Sequence, residues 1–499
     1  MNNFLAKKKS YILAVDAGTT SVKGVLFDSS GKVHAMAVRE YTLEKPSDSI
    51  VEIDPCVYWD SACSVIKTVL SDSRVPSQHI TAVGVTGQGE TLILLDKDGR
   101  PLRKAIVWLD SRAGEEAKCI RNTFGRDAVY GITGQQDITA GWPAAKILWL
   151  ARHEAEVFRR TDKFLMAADY LIYRLCGKFV TNHGLNPSTL YYDILNGCWW
   201  KEMLDFIGIT PQQLPVLQDS GIPVGNITAD IGLSSHTIVA AAPIDQICGT
   251  IGAGNTAPGI ITETTGSALA VCASVTKPVC DPLKRFGVYR HGINGLFVLM
   301  PWIPTAGMVL RWFRDEFCAD ISYEEMTALC AEIPPGSDGL VLLPHLEGMV
   351  CPDTNPDARG VFYGISLRHR KAHFIRAVLE STAFALRENI DMLESFGIQA
   401  DKIISLGGAA RSAAWLQIKA DVLQRPLSVL KCEEATSLGA AITAAVAGGI
   451  YADIAEAGAH MVHIGNRVEP NPVNGEIYRN MFSKYKALNA VLFTPQKEK

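Results

Sequence analysis

Apolar residues near the start of the chain come in short runs broken by small polar turns, which is the pattern of a strand meander. Residues 11–15 and 22–27 are β-rich runs flanking Asp16-Ala-Gly18-Thr19-Thr20-Ser21, and a second turn at residues 28–31 predicts a third strand over 32–38. A helix is predicted over residues 55–70, with Asp54 as its N-cap. Residues 80–85 and 91–95 predict further strands, and residues 105–109 are expected to continue the same sheet. Residues 113–220 are richer in helix formers and aromatics and are expected to be mostly helical with loops. The opening pattern then returns: a strand over 260–264, a turn at Thr265-Gly266-Ser267, and a return strand over 268–272. A strand over 402–406, a Gly-Gly turn, and helices over 412–423 and 437–447 complete the second half. Two hairpins with small hydroxyl residues at their turns predict an α/β chain of two related halves, divided near residues 254–259.

Composition narrows the class. At roughly 100–200 residues per domain, 499 residues imply two to four domains. A hydrophobic fraction of 47% with 20% charged residues excludes disorder over most of the chain. Basic residues number 48 and acidic ones 52, so no strong field gathers nucleic acid or an anionic membrane. The one basic run, Lys7-Lys8-Lys9, falls in an expected floppy tail. No apolar stretch is long enough to span a bilayer, and residues 1–10 hold no apolar signal core. The 12 cysteines are scattered without a C-x-x-C pair, which argues against zinc and disulfides and for reduced thiols in a cytoplasmic protein. Most, Cys248 included, are read as core filler.

No P-loop, H-E-x-x-H or G-x-S-x-G motif occurs, and Gly252-Ala-Gly254-Asn-Thr-Ala257 is a weak dinucleotide match without a supporting acid. The first hairpin is more informative. Gly18 permits close backbone approach, Thr19 and Thr20 offer hydroxyls and N–H groups, and Lys23 adds a cation, a set able to hold phosphate oxygens. Asp16 would repel a phosphate directly but can orient Mg²⁺ or its waters. The plain alternative is an ordinary polar hairpin in which Asp16 caps its own turn. The second copy at Thr265-Gly266-Ser267 favours two phosphate hairpins facing across a cleft, an ATP site.

At this point the chain resembles the FGGY family of carbohydrate kinases, in the actin–hexokinase–Hsp70 superfamily. Two family patterns carry the resemblance: Gly141-Trp-Pro143-Ala-Ala-Lys146-Ile147-Leu-Trp149-Leu150-Ala-Arg152-His153, and Gly360-Val-Phe362-Tyr-Gly364-Ile365 followed by His373-Phe374-Ile-Arg-Ala377-Val378-Leu379-Glu380. The resemblance implies two actin-like (ribonuclease H-like) ATPase domains flanking a catalytic cleft, residues 1–256 and 257–499, with ATP mainly on the second. It also implies that Asp245 is the catalytic base, taking the proton of a substrate hydroxyl as that oxygen attacks the γ-phosphorus, and a candidate magnesium ligand. Gly407, Gly408, Ala409 and Ser412 match the adenosine motif, Gly307 another glycine near the nucleotide, and Thr265 and Gly266 the second phosphate hairpin.

The sugar pocket mixes two patterns. Gln88-Gly89-Glu90 stands where xylulokinases carry Gln-Met-His and glycerol kinases follow the Gln with Arg-Glu. Asp245-Gln246 resembles glycerol kinases, whereas Trp108-Leu-Asp110-Ser-Arg112 resembles xylulokinases. Gln88, Glu90, Trp108, Asp110, Arg112 and Gln246 are thus the expected substrate contacts. Glu90 would accept from vicinal hydroxyls and repel a substrate carboxylate, which disfavours a sugar acid such as gluconate. Gly89 is expected to leave room for something longer than glycerol. The plain alternatives are that Glu90 only pairs with Arg112, that Trp149 only packs, and that Trp108 stacks on sugar or sits in the core. The expected activity is ATP- and Mg²⁺-dependent phosphorylation of a neutral sugar, first a pentulose such as xylulose. The alternatives are a polyol kinase for glycerol, erythritol or another alditol, and a non-catalytic actin-like sugar sensor. No nucleic-acid or membrane partner is expected, and homodimerisation is left open.

Overall fold

The run Tyr11–Ala17 forms β1, and the turn at Gly18–Thr20 returns it antiparallel as β2 (Ser21–Asp28), which β3 (Val33–Glu40) follows. The computed structural model describes residues 10–351 and 354–493, so Lys7–Lys9 lie outside the described residues. In the hairpin register Asp16 stands opposite Lys23. Helix α1 (Pro55–Ser73) begins as expected at Asp54, whose carboxylate accepts from the Cys56 N–H at 2.8 Å. The chain then enters β4 (Ile80–Gly87), parallel to β1.

Residues 92–95 and 105–106 do not continue this sheet. They belong to a separate five-stranded sheet with Glu44–Ser47, Ile50–Ile53 and Lys163–Met166. The hydrophobic pattern cannot tell one sheet from another, because both bury alternate or continuous apolar runs in the same way. Residues 113–220 hold α2 (Pro143–His153) and α3 (Ala167–Cys176) among other helices, Gly114–Phe124 included. Two strands unseen in the sequence pattern, β5 (Pro223–Asn226) and β6 (Ile238–Ala241), complete the first sheet in the order β5-β6-β4-β1-β2-β3. Strand β6 runs parallel to β4 and leads through Pro243 and Ile244 into α4 (Asp245–Gly252).

The second half repeats the plan. Strands β7 (Ile260–Thr265) and β8 (Leu269–Val275) form the second hairpin, and β9 (Gly287–Arg290) and β10 (Phe297–Met300) extend it on one side. Helices α5 (Gly307–Phe317) and α6 (Lys371–Ser395) follow. On the other side β11 (Lys402–Leu406) and β12 (Leu427–Leu430) run parallel to β7, with α7 (Ala413–Leu423) between them and β13 (Ile464–Val468) at the edge. In both sheets the hairpin's first strand is central, with antiparallel partners on one side and two parallel strands on the other.

Helix α8 (Ala435–Ala447) joins the halves. Its sequence, ATSLGAAITAAVA, is nearly all small residues, and it packs into the core of the first sheet with Leu438, Ala441 and Ile442 fully buried. Small residues let it cross α4 backbone to backbone: a Cβ on Gly439 would stand 1.9 Å from the Cys248 carbonyl oxygen, and one on Gly252 would stand 1.9 Å from that of Ala435. Glycine at this crossing fixes how the two halves meet at the floor of the cleft.

Candidate active site

Three neighbouring parallel strands end on the same edge of the first sheet, and each delivers a carboxyl group there. Asp16 closes β1, Glu90 follows β4, and Asp245 opens α4 just after β6. The carboxyl ends of parallel strands are where open α/β sheets place their ligands. Glu90 is held at φ +59°, in the sparsely populated left-handed region that costs a non-glycine residue. Burial pushes Asp245 up to about 8, and the charges of Asp16 and Glu90 add to it, while the Gln246 N–H donating to its Oδ1 at 2.7 Å opposes. Burial also raises Asp16 to about 6, with Lys23 opposing and Glu434 adding. Glu90 is raised by burial, against Ser188 and Lys146.

Lys23, Lys146 and Ser188 offset this acid cluster only in part, since burial still raises all three carboxyls. Asp16 Oδ1 and Gln88 Oε1 are buried without a hydrogen-bond partner among the described residues. Orphaned oxygens beside carboxyls that burial forces toward protonation fit a hydrated divalent cation. Among the described residues no group of three or more His, Cys, Asp or Glu side chains forms a metal cage. A cation would therefore take most of its ligands from water and phosphate, as Mg²⁺ does.

The cleft beside these acids is a cavity of about 570 Å³. One end is lined by Asp16, Gly18, Lys23, Asp245 and Gln246 and the other by Gly407 and Gly408. The loops after β11 and β12 supply that far wall, so the second sheet also presents its carboxyl edge to the cleft. Gly407 adopts φ +79° and lies so close to the second hairpin that a Cβ would stand 2.8 Å from the Thr265 carbonyl oxygen. Ala409 is buried beneath this turn, and Ser412 caps α7 by accepting from the Trp415 N–H at 3.3 Å. Neither is among the lining residues.

The two hairpins differ from the sequence expectation in detail. Lys23 is bound across the cleft to Glu434 at 2.5 Å, just ahead of α8. Thr19 accepts from the Trp108 Nε1–H at 3.0 Å, and the carbonyl of exposed Thr20 accepts from the Tyr41 N–H at 2.9 Å. The Thr265 hydroxyl is buried, donating to Glu263 at 2.7 Å and accepting from Lys419 at 2.8 Å. Glu263 and Lys419 form a fully buried ion pair at 2.7 Å, to which Ser405 also donates. Gly266 accepts from the Gly307 N–H at 2.9 Å, so Gly307 ties α5 to the hairpin turn. Thr265, Gly266 and Gly307 thus build the hairpin from behind.

Among the residues expected to contact the substrate, buried Gln88 donates to the Tyr58 hydroxyl at 2.7 Å. Arg112 does not pair with Glu90. It binds Asp110 at 2.7 Å and Glu52 at 2.7 Å and stacks 5.0 Å from the Trp149 ring centre. Asp110 also accepts from the Val51 N–H at 2.7 Å, which commits both its oxygens. The cation beside Glu90 is instead Lys146 of α2, fully buried, donating to the carbonyls of Glu90 at 2.8 Å and Val107 at 2.9 Å. Burial lowers Lys146 to about 7 while Glu90 opposes. Its signal in the sequence was a lone lysine within the apolar helix PAAKILWLARH. Glu434, Glu263 and Lys419 carried no such signal. Trp108 is 41% exposed, so it is not a core residue.

The room expected at Gly89 is not there. A Cβ on residue 89 would meet Ile244 Cδ1 at 2.6 Å and Ser188 Oγ at 3.3 Å, because the Ile244 side chain fills that space. Cys248 is fully buried, its thiol donating to the Pro243 carbonyl at 3.2 Å, and burial raises its pKa. All 12 cysteines are free thiols. No helix among the described residues is long and apolar enough to cross a membrane.

Comparison with known proteins agrees with this geometry. The family models for the N-terminal and C-terminal domains of the FGGY family of carbohydrate kinases match residues 11–252 and 264–448. The xylulose kinase of Bacillus subtilis (strain 168) is 30% identical over 482 residues, covering 95% of this chain and 96% of that protein. The solved structure of a ligand-bound xylulose kinase from Lactobacillus acidophilus aligns at TM-score 0.89 and 27% identity, covering 97% of this chain and 99% of that one. A gluconate kinase from the same organism also aligns at TM-score 0.89 and 27% identity, covering 97% and 98%.

Proposed function

This chain belongs to the FGGY family of carbohydrate kinases, and we propose that it phosphorylates a neutral sugar, a pentulose such as xylulose first. The observation that carries the reading is the convergence of Asp16, Glu90 and Asp245 on one sheet edge, where Asp16 and Asp245 line a cavity that Gly407 and Gly408 also line. The 30% identity to a protein named xylulose kinase supports the substrate class.

In the proposed mechanism ATP lies along the cavity with its base near Gly407–Gly408 and its phosphates toward Gly18 and Lys23. The acceptor hydroxyl faces Asp245. Asp245 takes the hydroxyl proton while that oxygen bonds to the γ-phosphorus and the bond to the β-phosphate oxygen breaks, leaving ADP and a sugar phosphate. Its raised proton affinity suits a base that must hold the proton once transfer has begun. Glu90 and Gln88 orient the acceptor hydroxyls, Trp108 covers the mouth, and Asp110, Arg112 and Lys146 hold the loops that carry them. Gln246 flanks the base. Mg²⁺, when bound with ATP, would neutralise phosphate charge, and Asp16 and Asp245 are the residues that would hold it through water. We place the working division at residues 1–256 and 257–499 and the protein in the cytoplasm, in keeping with its free thiols.

A second reading, a kinase of a short polyol such as glycerol or erythritol, draws on the Ile244 side chain filling the space at Gly89. A coupled ADP-release screen with xylulose, other pentuloses, glycerol, erythritol and gluconate separates the two. Pentulose-dependent release that Asp245→Ala abolishes while ATP still binds supports the first reading, and a preference for glycerol or erythritol supports the second. A preference for gluconate overturns the neutral-acceptor reading, and no stimulation by any compound favours a sugar sensor.

A further inference from the structure

A second cavity, of about 140 Å³, lies where the two halves meet and shares no lining residue with the nucleotide cleft. The first half supplies Asn182, His183, Asp219 and Ser220 to it, and the second half supplies residues 290–297, the turn from β9 into β10. Strands Val180–Asn182 and Val216–Gln218 run parallel, so His183 and Asp219 emerge together at their carboxyl ends. Asp219 and Asn294 are exposed, whereas Asn182 and His291 are buried, so the cavity runs inward from solvent to a polar wall.

Most of that wall is committed. His291 bonds the Asn255 carbonyl through Nε2 at 3.0 Å and accepts from the Ile293 N–H at Nδ1, also at 3.0 Å. Asn182 Nδ2 donates to Ser220 Oγ and to the Ala241 carbonyl, both at 2.9 Å. Arg290 donates from Nε to the Ile194 carbonyl at 2.8 Å and from Nη2 to the Leu195 carbonyl at 2.9 Å. What remains is one facing pair and one hydroxyl. His183 Nδ1 meets the Tyr192 hydroxyl at 2.7 Å, which leaves Nε2, and Nε2 faces Asp219 Oδ1 at 3.9 Å, too far to bond. Asp219 Oδ2 accepts from Asn294 Nδ2 at 3.0 Å, across the two halves. Ser220 Oγ accepts from Asn182, so its proton is left to donate.

These groups select a ligand class. A hydroxyl both donates and accepts, so it can bridge an imidazole nitrogen and a carboxylate that stand too far apart to meet. The Asp219 carboxylate repels an anion, and two of the Arg290 donors are spent on carbonyls. A cavity of roughly 150 Å³ holds benzene, so this one suits about six heavy atoms. The same walls back the segment that carries Asp245. Asn182 Oδ1 accepts from the Gly184 N–H at 2.8 Å, and a Cβ on Gly184 would stand 2.8 Å from Pro243 Cβ. A Cβ on Gly292 would stand 3.2 Å from Pro243 Cγ and 2.6 Å from Ile251 Cδ1, so the cavity walls touch the chain on either side of Asp245.

We propose that this cavity is a second ligand site, taking a small neutral polyol of about three carbons whose hydroxyls bridge His183 Nε2 and Asp219 Oδ1 and accept from Ser220. Binding there is independent of which acceptor the cleft takes.

Histidine-selective ¹³C NMR of the full chain tests this, with glycerol as the probe and inorganic phosphate as the counter-probe. The His183 signal is the one missing from His183→Gln. It should move saturably with glycerol, and its midpoint should rise about tenfold in Asp219→Ala, the equivalent of one hydrogen bond to a charged group. Ser220→Ala should raise the midpoint about threefold, while Glu90→Gln, in the cleft, should leave it within about twofold. No saturable shift in the unaltered chain overturns the inference, as does a midpoint unchanged in folded Asp219→Ala or Ser220→Ala. Phosphate moving the signal in place of glycerol overturns the neutral ligand. A midpoint that follows Glu90→Gln and not Asp219→Ala assigns the shift to the cleft, which removes the second site and leaves the sugar-kinase reading standing.

Discussion

Ile244 Cδ1 lies 2.6 Å from where a Cβ on Gly89 would stand. The two residues adjoin Asp245 and Glu90, the two acids proposed to meet the acceptor, so the Ile244 side chain occupies the space a larger residue at 89 would need. The loop is anchored from below by Thr86, whose hydroxyl donates to the Pro243 carbonyl at 2.6 Å. Gly89→Ala should overpack the site, at about 1–3 kcal/mol, and lower kcat/KM for the acceptor. Ile244→Ala in the same chain should recover most of that loss. A double-mutant cycle on kcat/KM reads the coupling, and simple additivity would show that the two side chains do not meet.

Asp245 must be deprotonated to act as a base, and its proton affinity is raised to about 8. With ATP below saturation, kcat/KM for the acceptor should therefore rise with pH and level off above about 8. Asp245→Asn should lose this limb along with about 10²–10⁴-fold of the rate. A pH profile flat between 6 and 9 in the unaltered chain would remove Asp245 from the role.

The same group links pH to stability. A carboxyl whose folded value is raised from 3.8 to about 8 favours the folded state while protonated. That contribution is complete below the unfolded value and is lost as pH rises through about 8. Asp245→Asn should therefore melt higher than the unaltered chain at pH 9 and show little gain at pH 4. Thermal melts of both across that range, without nucleotide, check the sign.

Glu263 and Lys419 pair at 2.7 Å with no solvent exposure of either side chain. Removing one partner strands a buried charge, so Lys419→Met should cost about 3–5 kcal/mol. The pair also holds Thr265, so ATP binding should weaken with stability. Lys419→Met with Glu263→Leu should be less damaging than Lys419→Met alone, as chemical denaturation of the three variants would show.

Lys23 binds Glu434 across the cleft, where both line the cavity. If ATP phosphates draw Lys23 from Glu434, Glu434→Gln should tighten ATP binding several-fold and Lys23→Met should weaken it. ATP titrations followed by calorimetry decide the matter. Weaker binding in both variants would show that the pair serves only to hold the halves together.

Much of this protein is written locally. Both hairpins, the N-cap at Asp54, the start of α7 at Ser412 and the turn at Gly407 were legible, because turn chemistry and capping depend on a few adjacent residues. Asp245 was expected through the family resemblance alone. The partners of the charged groups were not. Arg112 with Glu52 and Asp110, Lys23 with Glu434, and Lys419 with Glu263 join residues remote in the chain, and nothing in the spacing selects one acid over another. The separate five-stranded sheet escaped notice for the same reason, since an apolar run records that it is buried and not against what.

The sequence by itself determined two related hairpins with a glycine at each turn. Only the tertiary structure decided that Ile244 fills the space beside Gly89, that Lys146 and not Arg112 stands by Glu90, and that Asn294 meets Asp219 across the two halves. Volume and charge compensation are settled by which surfaces pack together, and that choice belongs to the whole chain at once.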